Sequence, residues 1–94
     1  MIIAVDFDGT LQKNGAANVG LIQRLKRAQK QGDIVILWTC REDNSLVEAL
    51  RFLQSYNFKP NYINSNCPEG VMRTKRDSRK VFADVYIDDK SARW

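Results

Sequence analysis

Apolar residues in this chain fall in short runs that stop at acids or hydroxyls, with helical spacings between the runs. The first run, Ile2-Ile3-Ala4-Val5, reads as a buried strand and ends at Asp6-Phe7-Asp8-Gly9-Thr10. From residue 18 to 31, Val19, Ile22, Leu25 and Ala28 recur every three positions with Leu21 beside them, which predicts a helix facing the core through these side chains. Asn18 suits its N-cap and Gly32 its C-terminal stop. Ile34-Val35-Ile36-Leu37-Trp38 is a continuous apolar run, the pattern of a strand covered on both faces, and it ends at Thr39. A second helix is predicted from Asp43 or Asn44 to about Tyr56, with Leu46, Ala49, Leu50 and Leu53 inward. Pro60 closes the next loop and Tyr62-Ile63 is a short strand. Residues 65 to 77, with Pro68 and Gly70, read as a loop, and a short helix is expected from Ser78. Asp84-Val85-Tyr86-Ile87 then forms a last strand that leads into Asp88-Asp89. Strands alternating with helices imply an α/β fold built on a parallel sheet with right-handed crossovers.

Length narrows this to one small domain over residues 1–94, since 94 residues bury a single core and no composition break divides them. The chain is 44% hydrophobic, but no apolar run approaches the roughly 18 residues of a membrane span, and no signal-peptide pattern is visible. A soluble, cytoplasmic protein without membrane partners is expected. Cys40 and Cys67 lack metal-site spacing and no histidine accompanies them, so buried reduced thiols are expected. The formal charge of +4 conceals a contrast. Setting aside Asp6, Asp8, Asp88, Asp89 and Lys80 leaves 14 basic residues against 7 acidic ones, a surface near +7. Such a field attracts anionic ligands, although a basic surface without a specific partner has the same composition.

Candidate chemistry gathers at the strand ends. In open parallel sheets ligands bind outside the carboxyl ends of the strands, where strand order reverses. Three such ends here carry polar groups: Asp6 and Asp8, then Thr39, then Asp88 and Asp89, with Lys80 just before the last strand. Two carboxylates two residues apart at a strand terminus repel one another, so a bound cation or proton-transfer work is implied. Gly9 allows the sharp departure from strand geometry that aims both side chains into a mouth above the sheet.

The series DFDGT, ILWT, a lysine and YIDD resembles, in that order, the four motifs of the haloacid dehalogenase superfamily. The likeness spans Ile2 to Asp89, and SRKVFADVYIDD is especially similar to the small capless phosphatase-like members. It implies a three-layer, Rossmann-like sheet in the order 3-2-1-4 for the four strands in chain order, flanked by helices. It also implies a magnesium-dependent phosphomonoesterase working through an aspartyl-phosphate. By this likeness Asp6 is the nucleophile, and Asp8 protonates the leaving oxygen and then activates water. Asp6, the Asp8 carbonyl and Asp88 hold magnesium, with Asp89 direct or through water. Lys80 keeps Asp6 ionised and offsets phosphoryl charge, and the Thr39 hydroxyl, with Gly9 and Thr10, binds the phosphoryl oxygens. A weak carboxylate nucleophile with a second acid/base close by is the arrangement that a two-step covalent route needs.

Other roles compete for the same residues. Asp6 and Asp8 suit loop capping, Thr39 a strand end, Lys80 a solvated surface, and Asp88-Asp89 a turn. Arg41 suits either a substrate phosphate or an ion pair with Glu42, Asp43 or solvent. Trp38, Phe52, Tyr56 and Phe82 read as core rather than as a substrate platform. No cap insertion fits, since only about eight residues, Gln12 to Val19, separate DFDGT from the first helix. The site is therefore expected to be open to a phosphorylated small molecule or macromolecule. The basic segment Arg73, Lys75, Arg76, Arg79 and Lys80 reads as a solvated loop or as an electrostatic lid over an anionic substrate. The chain ends five residues after Asp89, so the last strand is expected to be a sheet edge, from which a homodimer, a natural fragment or modest stability could each follow. Rival readings are a phospho-acceptor module and a nucleic-acid-binding protein without hydrolase activity. The acceptor reading needs an Asp where Thr39 stands, and no nucleic-acid motif is visible.

Overall fold

Short strands that are apolar on both faces have nowhere to go but the middle of a layered sheet, and that requirement organises the fold. The computed structural model describes residues 1–65 and 81–89. In chain order the elements are β1 (Ile2–Val5), β2 (Gln12–Lys13), β3 (Ala16–Ala17), α1 (Val19–Lys30), β4 (Ile34–Leu37), α2 (Asp43–Gln54), β5 (Tyr62–Ile63) and β6 (Val85–Ile87). Four of the strands form one sheet in the order β5-β4-β1-β6, which is the expected 3-2-1-4. Every pairing in it is parallel, with Val5 level with Leu37 on one side and with Ile87 on the other. Three carboxyl ends thus finish side by side.

Alternation along the strands divides the core in two. Ile3, Val5, Val35, Leu37 and Ile87 meet Ile22, Leu25 and Ala28 of α1 and Ala49 and Leu53 of α2. Ile2, Ala4 and Ile36 face the other way, against Val81 and Ala83, with Trp38, Tyr62, Phe82 and Tyr86 packed around them. Handedness explains why both described helices share one face. The steps β1 to β4 and β4 to β5 move in one direction across the sheet, so right-handed crossovers place α1 and α2 together. The step from β5 past β1 to β6 runs the opposite way, and Val81 and Ala83, the described residues just before β6, are buried on the other face. No described helix is long and apolar enough to cross a membrane.

Local signals set the element ends. The Asn18 side chain accepts the Leu21 N–H at 3.2 Å and starts α1. Gly32, at φ +96°, ends it, and the Asp33 N–H donates to the Ala28 carbonyl at 3.0 Å in the manner of a Schellman motif. Val19 departs from the predicted inward set and is 48% exposed. A spacing of three falls about 60° short of a full turn at each step, so Val19 lies roughly opposite Ala28 on the helix. The stretch from Gln12, read as a plain connection, is an antiparallel hairpin of β2 and β3. Its turn is Asn14-Gly15, both at positive φ, a pair whose hairpin preference was legible in the sequence.

Two further expectations change at the last strand. Asp84 precedes β6 instead of opening it, and its carboxylate accepts the Ile2 N–H at 2.7 Å. Of the helix expected from Ser78, residues 78–80 lie outside the described residues, and 81–83 are not helical. There the Tyr86 hydroxyl donates to the Val81 carbonyl at 2.6 Å and accepts the Ala83 N–H at 3.0 Å.

Candidate active site

The ladder continues one residue past β1, because the Asp6 N–H donates to the Ile87 carbonyl at 2.9 Å. That bond fixes the Asp6 backbone at the top of the sheet, between β4 and β6. The chain then turns sharply: the Phe7 carbonyl accepts the N–H groups of Thr10, Leu11 and Gln12. Phe7 itself is fully buried and anchors this loop, edge-on to Phe52 with ring centroids 5.8 Å apart. Gly9 sits at φ +80°, and a Cβ there would meet the Asp89 Cβ at 3.4 Å. The loop is therefore seated against the last acidic pair, and a side chain at position 9 is opposed by the backbone conformation.

Asp6, Trp38, Thr39, Cys40, Asn64, Asp88 and Asp89 line a cavity of about 650 Å³ at these strand ends. Thr39 is buried and held from two sides. Its N–H donates to Asn64 Oδ1 at 2.7 Å, and its Oγ1 accepts the Arg41 N–H at 3.1 Å. A threonine hydroxyl has one proton to give, so accepting from Arg41 leaves that proton available to an anion in the cavity. Asn64 was not singled out from the sequence. Its signal is modest, an asparagine just after a short strand, and here it adopts φ 53° with its N–H on the Leu37 carbonyl at 2.8 Å. Asn64→Ala is expected to cost about 1–3 kcal/mol, because the Thr39 N–H loses its acceptor. Urea unfolding would show this, with Asn64→Asp, which keeps the acceptor, close to the parent.

Asp8 is placed differently from Asp6. It does not line the cavity; its carboxylate takes two bonds from Arg41, Nε to Oδ2 at 3.0 Å and Nη2 to Oδ1 at 2.8 Å. The sequence-based partners of Arg41, namely Glu42, Asp43 and solvent, are thus corrected to Asp8, 33 residues away. Charge follows geometry. The hydrogen bond from Arg41, helped by its positive charge, holds the Asp8 carboxyl below its ordinary 3.8. Burial raises Asp6 above that value, against the lowering effect of the Phe7 N–H, and the charges of Asp8, Asp89 and Asp88 raise it further.

The remaining predicted residues separate. Thr10 is buried within the loop at 6% exposure, with its hydroxyl unpaired among the described residues. Gly9 is exposed. Cys40 is exposed beside the cavity, which corrects the buried thiol expected there: it follows Thr39 where the chain leaves the sheet. Trp38 serves both the second core cluster and the cavity wall, while Phe52 and Tyr56 pack on the first cluster. Lys80, Cys67 and the basic residues Arg73, Lys75, Arg76 and Arg79 lie outside the described residues.

Metal fit turns on donor chemistry. Asp6, Asp88 and Asp89 offer oxygen alone, the preference of magnesium, and their mutual repulsion is what a cation relieves. Among the described residues no group of three or more acids is placed to hold a metal ion. Magnesium does not require one, since it keeps several waters and commonly takes one or two carboxylates with substrate phosphate. The residues present fit the ion.

No curated protein sequence matches the chain. A solved structure of a conserved protein from Bacteroides thetaiotaomicron superposes with a TM-score of 0.82 at 33% identity, covering 97% of this chain and 77% of that one. The family model of the haloacid dehalogenase-like hydrolases matches residues 3–92, almost the whole sequence. On that match, and with Thr39 after β4 and the acidic pair after β6 on either side of Asp6 after β1, the chain belongs to the haloacid dehalogenase-like hydrolases.

Proposed function

We propose that this hydrolase is a magnesium-dependent phosphomonoesterase that works through an aspartyl-phosphate on Asp6. The observation that carries the reading is the shared cavity wall: Asp6, Thr39, Asp88 and Asp89 reach it from three neighbouring parallel strands. An Asp6 carboxylate oxygen forms the new bond to phosphorus as the ester P–O bond breaks, and the leaving oxygen takes a proton from Asp8. Water then gives a proton to Asp8 and attacks phosphorus, which releases inorganic phosphate and restores Asp6. The Thr39 hydroxyl donates to a phosphoryl oxygen throughout, where charge shifts most. Lys80, by resemblance, keeps Asp6 ionised. Asp6, the Asp8 carbonyl and Asp88, with Asp89 direct or through water, would hold magnesium, which would supply neutralisation of the negative charge gathered at the site. The two-strand hairpin is all that stands between the first motif and α1, in keeping with a capless, open site for a small or large phosphorylated partner.

Phosphate release from an aryl phosphate tests this. Turnover with magnesium is expected, its loss on chelation, and its recovery when magnesium is restored. Absence of release with magnesium, or release undiminished by chelation, would overturn the proposal.

A further inference from the structure

The pair of Arg41 and Asp8 is at odds with the work assigned to Asp8. A carboxylate with both oxygens occupied by a guanidinium, and outside the lining of the cavity that contains Asp6, is out of place for proton transfer to a leaving group there. Arg41, by contrast, is held independently of Asp8. Its Nη1 donates to the Ser45 carbonyl at 3.1 Å, its guanidinium lies 4.8 Å from the centroid of the Phe7 ring, and its backbone N–H is on the Thr39 hydroxyl oxygen. Asp8 has no such anchorage: its side chain is 58% exposed, and Arg41 is the partner of its carboxylate among the described residues.

We propose that Arg41 is a positioning residue that holds Asp8 out of the cavity in the resting protein and releases it when a phosphate group takes the guanidinium. The proposal rests on the reading of Asp8 as the acid/base. Three features make the exchange favourable. An exposed carboxylate–arginine pair contributes little on its own, because water screens it. A phosphate presents the same two-oxygen acceptor edge to arginine with more charge, so it competes on geometry and on electrostatics. Arg41 also gives its backbone N–H to the hydroxyl oxygen of Thr39, a residue of the cavity wall, which keeps its guanidinium within a side chain's reach of an anion there. Substrate arrival would then be coupled to the freeing of the acid, and an empty site would keep its acid/base away from the nucleophile.

The test follows the Nε–Hε NMR resonance of Arg41 in the whole chain, identified by its absence in Arg41→Lys. Asp8→Asn marks the position of the resonance without the charged pair. Inorganic phosphate is titrated in the presence of magnesium, and its binding is read separately from phosphorus line broadening. The expected result is movement of the Arg41 resonance in step with phosphate saturation, with phosphate bound about tenfold more weakly by Arg41→Lys. Phosphate that binds while the resonance stays at its resting position would make the pair a permanent clamp and overturn the proposal. Failure of millimolar phosphate to bind the parent protein would overturn it as well. Neither readout depends on turnover, so a failure of the phosphatase reading shows itself separately, in the aryl phosphate assay.

Discussion

Asp6→Asn is expected to abolish phosphate release, by at least about 10⁴-fold, and at the same time to make the protein more stable. The first effect follows because the amide has no anionic oxygen to form the bond to phosphorus, while its carbonyl still accepts the Phe7 N–H that now meets the carboxylate at 2.9 Å. The loop therefore survives the change. The second effect follows from the raised pKa of Asp6, caused first by burial and then by the neighbouring acids. A carboxyl whose folded value exceeds its ordinary 3.8 favours unfolding once it is ionised. That penalty is present at neutral pH, fades as pH falls through the raised folded value towards 3.8, and is absent below it. Thermal unfolding without divalent ions should show the variant melting above the parent at neutral pH and level with it in acid. Magnesium should narrow the neutral gap, since it binds the folded parent through the carboxylate that the variant lacks. Retained turnover in Asp6→Asn would remove Asp6 as nucleophile, and a lower melting point at neutral pH would contradict the burial argument.

The framework of this site was legible because it is local. Each apolar run announced a strand and the polar residue after it announced a strand end, and Asp6, Thr39, Asp88 and Asp89 line one cavity at those ends. The strand order came through family likeness, and handedness then accounts for both described helices on one face. The parts that were missed depend on contacts between distant residues. Arg41 has acidic neighbours at Glu42 and Asp43, yet its partner is Asp8, because the loop after β1 and the loop after β4 emerge at adjacent strand ends. Asn64 pairs with Thr39 for the same reason, across the ends of β4 and β5. Val19 and the Asn14-Gly15 hairpin are different, since angular drift along a helix and a turn preference were both in the sequence to be read.

Asp8→Asn is expected to separate the two halves of the reaction. With an alkyl phosphate, whose leaving oxygen needs a proton, turnover should fall about 10²–10⁴-fold and no product should appear early. With nitrophenyl phosphate the leaving group departs as a stable anion, so Asp6 can still be phosphorylated. Its later hydrolysis, which needs Asp8 to take a proton from water, is then the slow step. The variant should thus release one equivalent of nitrophenolate rapidly and turn over slowly afterwards, a burst larger than the parent's, whose second step is not slowed. Stability should change little. The Arg41 pair contributes above the ordinary 3.8 and is lost as pH falls through the lowered folded value, but the Asp8 side chain is 58% exposed and water screens the pair. A chemical loss without a folding loss is therefore the signature of an acid/base. Equal losses on the two esters with no burst would instead mean that Asp8 matters only as the counter-charge of Arg41, and the proton would have to come from a different group.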